Sequence, residues 1–200
     1  MRSLAAMVLL AFAATAAASN IDLVRAARRQ VGVTVIYDGS YRVLVYPGGD
    51  LPLERGVCTD VVIRALRTAR AFDLQRLVHE DMSAHFDAYP ARKRWGASAA
   101  DSNIDHRRVP NLMRYFDRGG YSQPVSDRDR DYLPGDIVAW DLGGGVLHIG
   151  LISDRTAVTG TPLVIHNIGA GAREEDVLRR YRVIGHYRLD RPHTAPMRQR

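Results

Sequence analysis

The sequence predicts an α+β fold, with helices first and a mainly antiparallel sheet second. Three observations carry this. Apolar residues recur at helical spacing as far as Phe116 of the 200-residue chain. After Pro134-Gly135 the period shortens to that of strands. Alternating strand–helix–strand units are absent, which argues against a doubly wound parallel sheet.

Taken in order, Asn20 can cap a helix over Ile21–Val31, and Gly32 follows its end. Val33–Tyr37 and Tyr41–Tyr46 read as extended segments around Asp38-Gly39-Ser40. A helix begins at Cys58, with Val61, Val62, Ala65, Leu66 and Ala69 on its apolar face and Arg64, Arg67 and Arg70 on much of the other. Leu74, Leu77, Val78 and Phe86 predict another before Pro90, and Pro110 opens a short one through Leu112, Met113 and Phe116 that Gly119-Gly120 closes. The predicted strands are Ile137–Trp140, Val146–Ile152, Leu163–Asn167 and Val183–Leu189.

Residues 1–18 read as a secretory signal peptide: Met1-Arg2, an uncharged apolar run from Leu4 to Ala14, then Ala16-Ala17-Ala18. No transmembrane segment is expected once it is removed. Residues 19–190 are expected to form one domain and residues 191–200 a loose tail. No repeat, low-complexity stretch or linker interrupts them. Hydrophobic content of 46% excludes a disordered chain. The formal charge of +6, or +5 without Arg2, suits an anionic partner such as cell-wall polymer. The arginines are interspersed with aspartates, so nucleic-acid binding is not expected. The working expectation is a periplasmic or secreted monomer without a cofactor.

Cys58 is the only cysteine. At a helix start, unpaired N–H groups and the helix dipole favour an anion, which can lower a thiol's pKa from about 8.5 into the range of roughly 3.5–7.5. In an oxidising compartment this thiol has no partner in its own chain. The competing reading is a small buried hydrophobe. Two histidines weigh against it. Strand alternation puts His148 with Val146 and Gly150, and His166 with Val164, on one face of a hairpin whose loop runs from Ser153 to Thr161. If His148 lies opposite His166, a helix on that face brings Cys58 to His148, with Gly150 permitting close approach. Cys58 is then the nucleophile, His148 the base and His166 the orienter. Asn167 competes for the last role, but alternation sends it to the other face.

The order of cysteine at a helix start, His-Ile-Gly on a strand, then a strand ending Ile-His resembles the NlpC-type cell-wall cysteine peptidases. Tyr46-Pro47-Gly48-Gly49 resembles the Tyr-x-x-Gly run before their Asp-Cys-Ser-Gly nucleophile motif, and Leu133-Pro134-Gly135-Asp136-Ile137 resembles their Pro-Gly-Asp segment. Across nearly the whole chain, YPGGD, GVCTDVVIRALR, LVHEDM, NIDHRRVPN, GDIVAWDL and HNIGAG resemble the bacterial family named domain of unknown function 1287. The NlpC-type resemblance implies a papain-like fold and a tyrosine, Tyr46 or Tyr37, beside the oxyanion site. Gly56-Val57-Cys58-Thr59 replaces Asp-Cys-Ser-Gly, so the acid before the nucleophile is missing and Asp60 follows it instead.

The stretch 72–131 is long for the NlpC-type family and reads as an insertion. It holds His79-Glu80-Asp81, His85, Asp101 and Asp105-His106-Arg107-Arg108. No short metal-ligand motif appears, so no metal is expected. Solvated helix charge accounts for residues 79–81. For Asp105, His106, Arg107 and Arg108, substrate-carboxylate contact and internal ion pairing both stay open. The expected activity is amide hydrolysis in peptidoglycan stem peptides or crosslinks through a thioester on Cys58. The alternatives are a protein or lipid acyl bond as substrate, or a cell-wall-binding module without turnover.

Overall fold

A computed structural model describes residues 20–189, so the expected signal peptide and tail lie outside the described residues. Residues 20–28 are helical (α1); Asn20 is already inside the helix, and the chain turns at Gly32 with φ 77°. Two short strands, β1 (Ile36–Tyr37) and β2 (Arg55–Gly56), pair in parallel. The segment Tyr41–Tyr46, expected to be extended, forms no ladder. Its main chain is held by side chains instead: Asn103 Oδ1 accepts the Leu44 N–H at 2.9 Å, and Gln75 Nε2 donates to Val45 O at 3.0 Å.

Helix α2 spans Cys58–Arg70, α3 spans Leu74–Ala84, α4 spans Ala91–Trp95 and α5 spans Val109–Arg118. The sequence reading missed α4, a single turn with no apolar period to betray it. Arg64 does not face solvent as its position on α2 suggested. It is buried, pairs with Asp50 at 2.9 Å and donates to the carbonyls of Leu51 and Arg55, pinning the loop before β2. Asp73 caps α3 by accepting the Gln75 N–H at 3.2 Å.

The sheet holds β3 (Ile137–Asp141), β4 (Leu147–Thr156), β5 (Pro162–Asn167), β6 (Ala172–Glu175) and β7 (Arg182–Tyr187) in the order β6-β5-β4-β3-β7. All four pairings are antiparallel. The fold is therefore α+β, helices first and a five-stranded antiparallel sheet second.

Each sheet face has its own core. Ile137, Ala139, Ile149, Leu151 and Ile165 pack with Leu23 and Val24 of α1 and Val61, Val62 and Leu66 of α2. Val138, Trp140, Ile152 and Val164 pack with Tyr132, Val177 and Leu178 on the other side. The 72–131 stretch belongs to the first core, since Leu74, Val78, Met82, Leu112, Tyr115 and Phe116 are all fully buried in it. Each such side chain contributes about 1.5–3 kcal/mol by leaving water, so this stretch is integral to the domain. Among the described residues, no helix is long and apolar enough to cross a membrane.

Candidate active site

Cys58 is the first residue of α2, and Val57 before it is extended (φ −116°, ψ −172°). With no polar side chain at Val57, the helix start is secured from Asp60, whose Oδ2 accepts the Val57 N–H at 2.7 Å. Arg107 in turn grips Asp60 with two bonds of 3.1 and 3.0 Å. Thr59 Oγ1 donates to Arg107 O at 3.1 Å. The acid after the nucleophile thus fastens the cysteine-bearing turn to the turn Asp105–Arg107.

The thiol is buried, at 5% exposure. Burial pushes its pKa up to about 12; the N–H groups of Ile149, Thr59 and Cys58 itself oppose this, while the Asp60 charge adds to it. The helix-terminus effect expected from the sequence is present, but desolvation outweighs it. At neutral pH the thiol is therefore protonated.

The histidines meet, though in a different register from the expected one. Leu151 pairs with Ile165 and Ile152 with Val164, so the same register sets His166 across from Gly150 and His148 two residues beyond it. On one face the offset rings still touch. His148 Nε2 and His166 Nδ1 are 2.9 Å apart, with the rings edge to face. Trp140, paired with His148 across β3 and β4, packs beside it at 5.7 Å between ring centroids. Burial lowers the pKa of His148 to about 3, with the neighbouring His166 adding to the effect, and burial also lowers that of His166.

The helix does not cover the histidine face. Helix α2 packs on the side of Ile149, Leu151 and Ile165, and Gly150 makes room for Val164 and His166 rather than for a helix. Cys58 meets the histidine strand at its main chain instead. The β4–β5 ladder starts at Leu151 and Ile165, leaving the strands unbridged on the His148 side. At this opening Asn167 Nδ2 donates to Gly56 O at 3.1 Å, and the Ile149 N–H, one residue on from His148, is directed at the sulfur.

A fourth group stands behind the pair. His166 Nε2 is 3.4 Å from Glu175 Oε2 on β6. The sequence reading missed Glu175 because Ala172–Glu175 is an edge strand with no apolar alternation. Of the two tyrosines, Tyr37 lines the cavity at Cys58, and desolvation is the chief cause that raises its phenol pKa. Tyr46 lies elsewhere, edge-on to His79 at 5.2 Å.

The four insertion residues divide. Arg107 is consumed internally, because besides Asp60 it donates to Asp38 O at 2.6 Å and to Ser40 O at 3.1 Å. Asp105 is buried and accepts the Asp101 N–H at 2.5 Å, and burial pushes its carboxyl pKa up. His106 is buried too, its pKa lowered to about 4 by that burial. Both arginines line the Cys58 cavity, but Arg108 differs in its partners: its guanidinium lies 4.2 Å from the centroid of the Trp95 ring and pairs with Asp105 at 3.3 Å.

That cavity, about 270 Å³, is walled by Tyr37, Cys58, Trp95, Arg108, Pro110 and Leu147. Pro110 and Leu147 also wall a second one of about 580 Å³, between α4 and α5, with Arg92, Lys93 and Arg114 at its margin. The two therefore adjoin along one groove. Among the described residues no group of three or more His, Cys, Asp or Glu side chains is arranged to hold a metal ion.

Fold and site together define an α+β domain whose helix-start cysteine meets the main chain of a strand that carries one of two bonded histidines. The chain belongs to the family described as domain of unknown function (DUF1287), whose model matches residues 24–189. It is 56% identical over 170 residues to "Uncharacterized protein YijF" of Escherichia coli (strain K12), covering 85% of this chain and 82% of that one. No solved structure matches the chain.

Proposed function

We propose that this protein is a cysteine hydrolase with a papain-like arrangement of its site, cleaving amide bonds of peptidoglycan stem peptides or crosslinks in the periplasm or outside the cell. One observation carries the reading. The chain's only thiol opens a helix at the wall of a groove, against the N–H that follows His148, and His148 is bonded to His166 at 2.9 Å.

Thiol and imidazole are both neutral at rest, so proton transfer accompanies attack. His148 takes the thiol proton as the sulfur bonds to the amide carbon, and the carbonyl oxygen becomes an oxyanion near the Tyr37 hydroxyl. The amine leaves with the proton from His148, giving a thioester on Cys58. Water attacks the thioester, losing its proton to His148, and the restored thiol takes that proton back. The groove suits an extended peptide, and Arg108, lying over the Trp95 ring, is placed to meet a carboxylate by charge-assisted hydrogen bonds.

Purified protein incubated with sacculi, with muropeptides read by mass, tests this. New peptide ends must appear with the natural chain and vanish with Cys58→Ala. The thiol pKa near 12 favours a second reading, a cell-wall-binding module without turnover. That reading gives sacculus binding, unchanged muropeptides, and no effect of Cys58→Ala.

A further inference from the structure

We infer that Glu175 is the positioning residue that sets the protonation pattern of the histidine pair, leaving Nδ1 of His148 as the proton acceptor. Its use in catalysis rests on the hydrolase reading above; the protonation pattern itself does not.

The argument is one of donors and acceptors. A neutral imidazole carries one N–H and one lone pair. His166 Nε2 is buried and makes no hydrogen bond within the normal limits, and the carboxylate oxygen Glu175 Oε2, 3.4 Å away, is the charged group it faces. A carboxylate only accepts, so His166 carries its proton on Nε2. Its Nδ1 is then a lone pair, and the 2.9 Å contact requires His148 Nε2 to donate. His148 is left with a bare Nδ1. That nitrogen is the one nearer its own main chain, and the Cys58 sulfur sits at the N–H of the next residue. One carboxylate thus orders two rings in series, so that the nitrogen able to take the thiol proton is free to do so. The opposite order would put a proton on His148 Nδ1 and block it.

The charged and titratable groups at His166 are His148 from β4 and Arg173 and Glu175 from β6. Arg173 pairs with the other Glu175 oxygen, Oε1, at 3.4 Å and opposes proton binding at His166, whereas Glu175 favours it. Glu175 keeps a third of its side chain exposed on an edge strand, so substitutions there leave the core intact.

The test is two-bond ¹⁵N–¹H correlation on the full chain with ¹⁵N-labelled histidine, near neutral pH. Both His148 and His166 should show the Nε2–H form. Glu175→Gln keeps an acceptor and should keep both forms. Glu175→Lys supplies a donor, which should move the proton of each ring to Nδ1. In the sacculus assay Glu175→Lys should lower turnover by about tenfold to a hundredfold, with most of it restored in Glu175→Gln. An Nδ1–H form of either ring in the natural chain, or an unchanged spectrum in Glu175→Lys, overturns the inference. Full turnover of Glu175→Lys while Cys58→Ala is inactive overturns the catalytic role of Glu175 alone. Expected ring forms without any turnover sustain the protonation pattern and count against the hydrolase reading instead.

Discussion

Arg107→Leu should be among the most damaging single changes in this chain, through stability rather than substrate binding. The Arg107 and Asp60 side chains are only 2% and 4% exposed, joined by two bonds of 3.1 and 3.0 Å. Removing one partner of such a pair strands a buried charge and costs about 3–5 kcal/mol. The carbonyls of Asp38 and Ser40 lose their guanidinium donor as well, and that loss overlaps with the first. For a domain of this size each kcal/mol lowers Tm by about 2–4 °C, so a fall of about 6–20 °C is expected. Thermal unfolding measures the fall in Tm, and urea unfolding followed by tryptophan fluorescence the free energy. In an Asp60→Asn background the charge left behind is gone, and the penalty of Arg107→Leu should shrink by at least about 1 kcal/mol. Arg108→Gln should cost under about 1 kcal/mol, because its ion pair is partly exposed, and should act on turnover of acidic peptides instead. A loss below about 1 kcal/mol for Arg107→Leu, or strict additivity with Asp60→Asn, would refute the reasoning.

Iodoacetamide labelling of Cys58 in the unliganded protein should be slow at pH 7 and rise only well above pH 9, toward the thiol pKa near 12; a midpoint below 8 would contradict the buried neutral thiol. Stability should fall on both sides of a neutral plateau. His148, with a folded pKa near 3 against 6.5 unfolded, loses its contribution as pH falls below 6.5, at about 1.4 kcal/mol per pH unit. Cys58, raised from 9.0 to about 12, loses its contribution as pH climbs above 9, so Cys58→Ala should delay the onset of the alkaline limb in pH-resolved urea melts to pH 10.0, where the buried Tyr89, Tyr115 and Tyr187 begin to contribute, and leave the acid limb in place. Gly150→Ala should destabilise by about 1–3 kcal/mol and disturb the His166 signals, since a Cβ there would lie 2.8 Å from Val164 Cγ1 and 3.0 Å from His166 Cβ. Asn167→Ala removes one of two donors to the Gly56 carbonyl beside the nucleophile, leaving the Asp38 N–H, and should cost about 0.5–1.5 kcal/mol; a neutral change would show that this bond does not hold the opening between β4 and β5.

The sequence by itself determined the elements and the chemistry available to them. Helical spacing after Cys58 and alternation around His148 and His166 are local properties of a chain that must bury one face of each element. They placed the thiol at a helix start, the two rings on one sheet face and Asn167 on the other, all as found. Tyr41–Tyr46, rich in strand-forming residues, has no neighbour to pair with, and pairing is not a local property.

Only the tertiary structure decided distances between elements, register, solvation and partners. It offset the histidines by two residues, and put α2 on the face away from them so that Cys58 meets β4 at the Ile149 N–H. Burial reversed the expected direction of the thiol pKa, because desolvation depends on everything packed around the sulfur and not on the helix that bears it. The same holds for Arg107 and Arg108. Adjacent in the chain and alike in chemistry, one is spent on Asp60 and the other lies open on Trp95, because only the fold determines which of them meets a buried carboxylate.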